Sequence, residues 1–425
     1  MQERIAATKL KNDNHIPGPA LASDNPKTFP GPLVLPGDEI AEDPEYPPQS
    51  LQEWVDEEDR NPVTPKRRTV YVVPPPQISD DVDFLKTWSQ PKDYQQKDRV
   101  EPPLTNEVHE YLSAFYHGLP VKLMSRSTLR LVGWRPGGTS AKSTSKARSR
   151  RPKYVGLEVS QECVRIRVRA SKDGVFDGQL NLNDLLDAAI GMLPKDAYAL
   201  LFLVNHDIYE DENDDFACGR AYGGSRVAVV SSARYNPNLD ALESVERLHA
   251  WPASHCETYI SAFCVAADED SNAKKPSKSH TKAKQNKGDV GTSTSKTGPV
   301  ETAISVHRNL PMENLTSSSR SALWLGRICR TASHELGHCF GIDHCMYYAC
   351  SMQGTASVGE DASQPPYLCP VDLAKILHAT STTAIERYHA LLAFCEKPHY
   401  KNEHIFAPLA AWIRGRLIEL EEQVR

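Results

Sequence analysis

One run, HELGHCFGIDH from His334 to His344, constrains this chain more than any other stretch of it. A helix brings residues four apart onto one face, so His334 and His338 can reach a single ion, while Glu335 is turned toward whatever that ion holds. The helix must stop near Gly341, the residue best suited to a left-handed backbone, and the reversal there returns His344 as a third ligand. Three protein ligands leave one position for water, which is the arrangement of a catalytic zinc site. The bland alternative is an amphipathic helix that happens to be rich in histidine. The Glu, the Gly and the third His in register speak against it.

The 425-residue chain is long enough for one large domain or two ordinary ones, and its 40% hydrophobic content suffices for a core. Its low mean hydropathy points to a globular centre diluted by polar tracts. The formal net charge of -6 gives no general attraction to nucleic acid or to an anionic membrane. The N-terminal stretch, MQERIAATKLKNDNHIPGP, lacks the apolar centre of a signal peptide, and the best apolar run, Tyr198 to Val204, is too short to span a bilayer. A cytoplasmic or nuclear location is expected, where the 10 cysteines stay reduced and clustered ones read as metal ligands.

Residues 1–65 are rich in proline and acidic groups, as in FPGPLVLPGDEIAEDPEYPPQS, and read as an extended, partly disordered arm with one short helix around Leu51 to Asp59. A strand from Thr69 to Val73 is closed off by three prolines. Residues 105–132 read as helical at first and extended later, with Leu112, Phe115, Leu119 and Val121 in the core. Two polar, basic tracts, 136–153 and 268–299, read as disordered insertions in surface loops; their Lys and Arg fit a solvated loop better than nucleic-acid contact or a nuclear signal. Between them VRIRVRA alternates as a half-buried strand, LNLNDLLDAAIGML has helical spacing, and YALLFLV is a continuous apolar strand. A glycine turn between Tyr222 and Arg226 precedes another strand, Arg226 to Ser232. One long helix then runs from Ser317 to Phe340 with Leu323, Leu325, Ile328 and Leu336 available for burial, and three more follow at Asp372 to Thr380, Ala384 to Cys395 and Leu409 to Gln423. The pattern predicts an α+β fold in which a mixed, α/β-type sheet packs on helices. The main body is expected at 66–400 and a C-terminal helix at 401–425.

Directly after His344 the chain reads HCMYYACSMQG and later YLCPVDL. Cys345, Cys350 and Cys369 are closely grouped, and in a reducing compartment a closed tetrahedral zinc site is the natural use for them. Free cysteines are also small buried apolar residues, which is the competing explanation. Asp372 is either the fourth ligand or a cap for the helix that begins beside it.

With these residues in hand the chain resembles the archaemetzincins, a branch of the metzincin zinc peptidases. Their pattern is the long zinc motif followed at once by a cysteine, then four residues, a second cysteine, one residue and a methionine, and finally a C-x-x-C pair. Here HELGHCFGIDHC, MYYA, CSM and CPVD match it, except that the gap from Met352 to Cys369 is about one residue short and Asp372 replaces the last cysteine. FPGPLVLPGD, NPVTPKRRTVYVVPPP, YLSAFYHGLPVKL and VVSSARY extend the likeness to eukaryotic members, over most of residues 29–400. The resemblance implies a metzincin-like catalytic domain with an active-site helix, a Met-turn at Met352 under the histidines, and a helical C-terminal part. It implies two zinc ions: one held by His334, His338 and His344 for catalysis, and one structural, held by Cys345, Cys350, Cys369 and Asp372.

On this reading Glu335 acts as general base and acid on a zinc-bound water, and the substrate is a peptide or protein. The strand Arg226 to Ser232 would serve either as an edge that accepts an extended peptide or as a buried central strand. The rival function is a non-catalytic, zinc-stabilised interaction module, in which Glu335 has no task. An N-terminal arm this long can also reach over the cleft, in which case deleting residues 1–60 raises activity.

Overall fold

The computed structural model describes residues 2–11, 25–92, 100–125, 129–134, 152–159, 162–255, 259–265 and 297–424. The two polar tracts, apart from 152–153 and 297–299, lie outside the described residues. Among the described residues no helix is long and apolar enough to cross a membrane.

The fold is a mixed α/β arrangement, with eleven strands in two sheets among the described residues: β1 Thr69–Val73, β2 Gln77–Ile78, β3 Val121–Leu123, β4 Leu129–Gly133, β5 Tyr154–Val159, β6 Glu162–Arg169, β7 Gln179–Asn181, β8 Ala197–Val204, β9 Ile208–Tyr209, β10 Gly219–Tyr222 and β11 Val227–Ser231. The five-stranded sheet has the order β10-β11-β8-β1-β3 and the six-stranded sheet β2-β4-β5-β6-β7-β9. In the first sheet β11, β8, β1 and β3 run parallel, and only the edge strand β10 is antiparallel, paired with β11. β8 is central and buried at every residue, which is why its sequence is one unbroken apolar run.

This sheet is the middle layer. Alternation along its strands sends Leu201, Leu203, Ala228, Val230, Val70 and Val72 into one core, shared with the long helix and the C-terminal helices. Leu200, Phe202, Val204, Val227 and Val229 enter a second core, closed by helix Leu182–Met192 and the six-stranded sheet. Residues 25–65 also feed the first core: Phe29, Leu51 and Trp54 are buried in it. The strand at 226–232 is therefore central, because β8 and β10 occupy both of its sides. The edges of this sheet are β10 and β3, and β10 is the one that lies against the long helix.

The long helix, Ser317–Cys339, begins at Thr316, whose hydroxyl accepts the Ser319 N–H, and packs along β11 and β10. Its indole Trp324 Nε1–H donates to the Ser232 carbonyl at 2.7 Å, tying the helix to the end of β11. Helices Pro370–Thr380, Ala384–Cys395 and Phe406–Val424 follow, the last also packed on helix Pro299–Arg308. That Pro299–Arg308 helix was not expected, since it starts within the last residue of a polar tract and offers only a short apolar face.

Because β8 joins both cores, Leu201→Ala should lower the unfolding free energy by roughly 2–5 kcal/mol, whereas Leu248→Ala, at a half-exposed site, should change it by less than about 0.5 kcal/mol. Urea unfolding of the two variants, side by side, checks this.

Candidate active site

The end of the long helix builds the site. Phe340 caps it, Gly341 follows at φ +75°, the Gly341 N–H returns to the His338 carbonyl, and the Ile342 N–H to that of Gly337 at 3.2 Å. This is a Schellman reversal, and it closes the helix within one residue. Aromatic side chains satisfy the carbonyls left over: Tyr198 Oη–H donates to Cys339 O at 3.3 Å and Trp54 Nε1–H to Phe340 O at 2.8 Å. The chain then doubles back and His344 meets His334 and His338, with ring centroids 4.7 to 5.4 Å apart.

The three imidazoles offer ligand atoms that all lie within 4.8 Å of one another. His334 and His338 each turn Nδ1 to a backbone carbonyl, of Ser351 and of Ile342, at 2.7 Å. A carbonyl only accepts, so each Nδ1 carries the proton and each Nε2 presents a lone pair. Those two Nε2 atoms are 3.0 Å apart. Protonation offers no relief: burial and the neighbouring rings push His338 down to about 4 and hold His334 well below the usual histidine range. A cation is what such a pair fits, and tetrahedral zinc with Zn–N near 2.0–2.1 Å would set nitrogens about 3.3 Å apart. No carboxylate joins the group among the described residues.

Glu335 sits beside it, 8% exposed, and burial pushes its carboxyl up to about 8 against a smaller opposing pull from Arg220. The edge strand β10 comes close here, since a Cβ on Gly219 would lie 3.2 Å from Glu335 Cγ. Histidines, Glu335 and β10 all line one cleft of about 620 Å³, together with Tyr46, Tyr235, Arg330 and Gln364. Beneath the helix lies Met352, 1% exposed, its thioether pressed against Gly337, where a Cβ would fall 2.4 Å from Sδ. Only glycine at that point lets the methionine reach the helix between the two histidines.

A second cluster starts at the next residue. Cys345, Cys350, Cys369 and Asp372 are all buried, with ligand atoms within 4.8 Å of one another. Cys345 Sγ is 3.6 Å from Cys369 Sγ, close to the roughly 3.8 Å that Zn–S bonds of 2.3 Å in a tetrahedron require. Asp372 Oδ2 faces Cys350 Sγ at 3.3 Å and Cys369 Sγ at 3.4 Å, while Oδ1 takes the Lys375 ammonium at 2.9 Å. The cap of helix Pro370–Thr380 is Cys369, whose sulfur accepts the Asp372 N–H at 3.5 Å, so the Asp372 side chain is left to the cluster. Burial and the Cys345 sulfur push Asp372 up to about 7, against the opposing pull of Lys375. Three thiols and a carboxyl packed together with one ammonium make a donor set suited to a divalent cation.

The two clusters share a loop. Cys345 N–H donates to the Met352 carbonyl at 2.8 Å, and the neighbouring Ser351 carbonyl holds His334. Sequence reasoning missed several residues that the fold brings here. Glu39 places Oε1 3.0 Å from His344 Nδ1, the Tyr46 ring lies 5.8 Å from that of His344, and Gln49 Oε1 accepts from Lys375 at 2.9 Å. They come from the proline-rich segment, and no local motif marks them.

With the geometry in view, comparison with known proteins shows where the likeness lies. Residues 301–377, which contain the histidine run and the cysteine cluster, match peptidase family M54. Archaemetzincin-2 of Rattus norvegicus is 25% identical over 224 residues, 51% of this chain and 48% of that protein. Archaemetzincin-2 of Macaca fascicularis is 24% identical over 368 residues, 86% of this chain and 74% of that protein. The chain thus spans about half the length of the rat, mouse and human archaemetzincin-2 proteins it matches. Among solved structures, archaemetzincin from Methanopyrus kandleri is 16% identical with a TM-score of 0.33, over 75% of this chain and 99% of that one.

Gly337→Ala should push Met352 out of its seat and lower stability by roughly 1–3 kcal/mol; Gly224→Ala, which meets nothing within 4 Å, should leave the denaturation midpoint unchanged. Paired denaturation curves read both.

Proposed function

We propose that this chain, which is similar to the archaemetzincins, is a zinc-dependent metallopeptidase acting on peptide or protein substrates. What carries the reading is the three-histidine group, joined by no fourth protein ligand among the described residues, beside the buried carboxyl of Glu335 in an open cleft. His334, His338 and His344 would hold the zinc. When bound, zinc supplies Lewis-acid polarisation of the scissile carbonyl and acidifies water.

The chain's own residues do the rest. Glu335, beside the histidines, takes the proton of the attacking water and delivers it to the departing amine. Its carboxyl lines the same cleft as the three histidines, and burial there raises its affinity for a proton. The outer edge of β10, next to Glu335, offers backbone groups for an extended peptide, and Gly219 keeps the strand close to the carboxyl. Met352 packs under the histidines and holds their helix against the loop that carries Cys345.

In the same reading Cys345, Cys350, Cys369 and Asp372 would hold a second, structural zinc. Lys375 offsets part of the charge of this acidic donor set and orients Asp372 so that one oxygen faces the sulfurs. We assign the catalytic body to 66–400, against which the described residues 25–65 and the helix Phe406–Val424 pack in one core.

Two measurements follow. Glu335→Ala should keep two zinc ions per chain, counted by elemental analysis, while cleavage of a peptide library falls by roughly 100- to 10,000-fold. Undiminished cleavage refutes the role of Glu335, and an intact wild type that binds zinc but cleaves nothing favours an interaction module. Cys350→Ser should lower the zinc count from two to one and reduce the melting temperature; a wild type with one zinc rules out the second site.

A further inference from the structure

The three histidines are oriented by different partners. Those on the long helix give Nδ1–H to backbone carbonyls, and the helix itself fixes where they stand. His344 has no helix beneath it: it lies on the irregular stretch after the reversal, its side chain 26% exposed. Its Nδ1 instead faces the Glu39 carboxylate at 3.0 Å. We propose that Glu39 is a positioning residue of the metal centre, accepting the Nδ1–H of His344 and thereby making the N-terminal segment part of the site. The inference rests on the zinc reading above.

Glu39 is held in place from several directions. Its backbone N–H donates to both carboxylate oxygens of Glu360 at 3.3 Å. Just upstream, Asp38 Oδ2 accepts the Leu35 N–H at 2.7 Å, and the Leu33 carbonyl accepts from Gln353 Nε2 at 3.0 Å. Phe29, Leu33 and Leu35 before it and Leu51 and Trp54 after it are buried. The segment is therefore clamped on both sides of Glu39, on the same loop that supplies Met352 and Ser351. Opposite, a Cβ on Gly354 would fall 2.5 Å from Glu39 Oε1 and 2.6 Å from His344 Nδ1, so the absence of a side chain there is what leaves room for the contact.

The chemistry gives this contact a definite task. With Nδ1 donating to a carboxylate, the tautomer that leaves Nε2 bare is fixed, the ring is held in one plane, and the imidazole becomes a better electron donor. A charged acceptor does this more strongly than the carbonyls that serve His334 and His338. Glu39 acts through His344 and is not itself among the grouped ligand atoms.

The test uses the full chain with Glu39→Gln and Glu39→Ala, measuring zinc affinity of the histidine site by chelator competition and the visible ligand-field spectrum after cobalt replaces zinc. Glu39→Ala should lose roughly 10- to 100-fold in affinity with shifted cobalt bands, and Glu39→Gln, whose amide oxygen still accepts, should lose less. Wild-type affinity and bands in Glu39→Ala overturn the proposal. Circular dichroism reports whether each variant is folded; if Glu39→Ala is not, Glu39→Gln decides, and wild-type affinity and bands in it overturn the proposal. Peptide cleavage is not the readout. A wild type that binds zinc and cleaves nothing refutes the peptidase reading while the Glu39 result stands.

Discussion

The reversal at Phe340–Ile342 is the constraint on which the rest of the site depends. A helix alone can offer His334 and His338, but a three-ligand group needs the chain to turn back within a few residues. The left-handed Gly341 permits that turn, and the Tyr198 and Trp54 donors, from the central sheet and the N-terminal segment, satisfy carbonyls that a sharp helix end leaves bare. Burial then does the electrostatic work: it lowers the proton affinity of His334 and His338 and raises that of Glu335.

The same turn delivers Cys345 to the second cluster one residue after His344, so the two clusters cannot move independently. The Cys345–Met352 backbone bond closes the loop between them, and Met352 presses on Gly337 in the helix. The N-terminal segment spans both: Glu39 contacts His344, and Gln49 contacts Lys375, the Gly341 carbonyl and the Asp343 N–H. The described part of this segment is thus anchored to both clusters.

What the sequence made legible follows from how local the information is. The histidine run declares itself because helical spacing and a terminating glycine sit within eleven consecutive residues, and the cysteine cluster because three of its members fall within one short region. The central strand β8 and the long helix were legible from their apolar patterns. The strand at 226–232 was ambiguous between edge and centre, although five consecutive buried positions are the mark of a central strand. Asp372 could be ligand or cap until Cys369 was seen to fill the cap. Glu39, Tyr46 and Gln49 were not legible, because their placement comes from distant anchors such as Phe29 and Trp54 and from no spacing of their own, whereas Lys375 follows Asp372 by one turn of the same helix.

The central claim is that this chain cleaves peptides by means of zinc held at its three histidines. The most direct measurement is cleavage of a peptide library by the purified chain as isolated, after zinc removal by a chelator, and after zinc is returned. The account predicts cleavage that disappears with the metal and comes back with it. Cleavage that persists without zinc, or a zinc-loaded chain that cleaves no peptide, would contradict it.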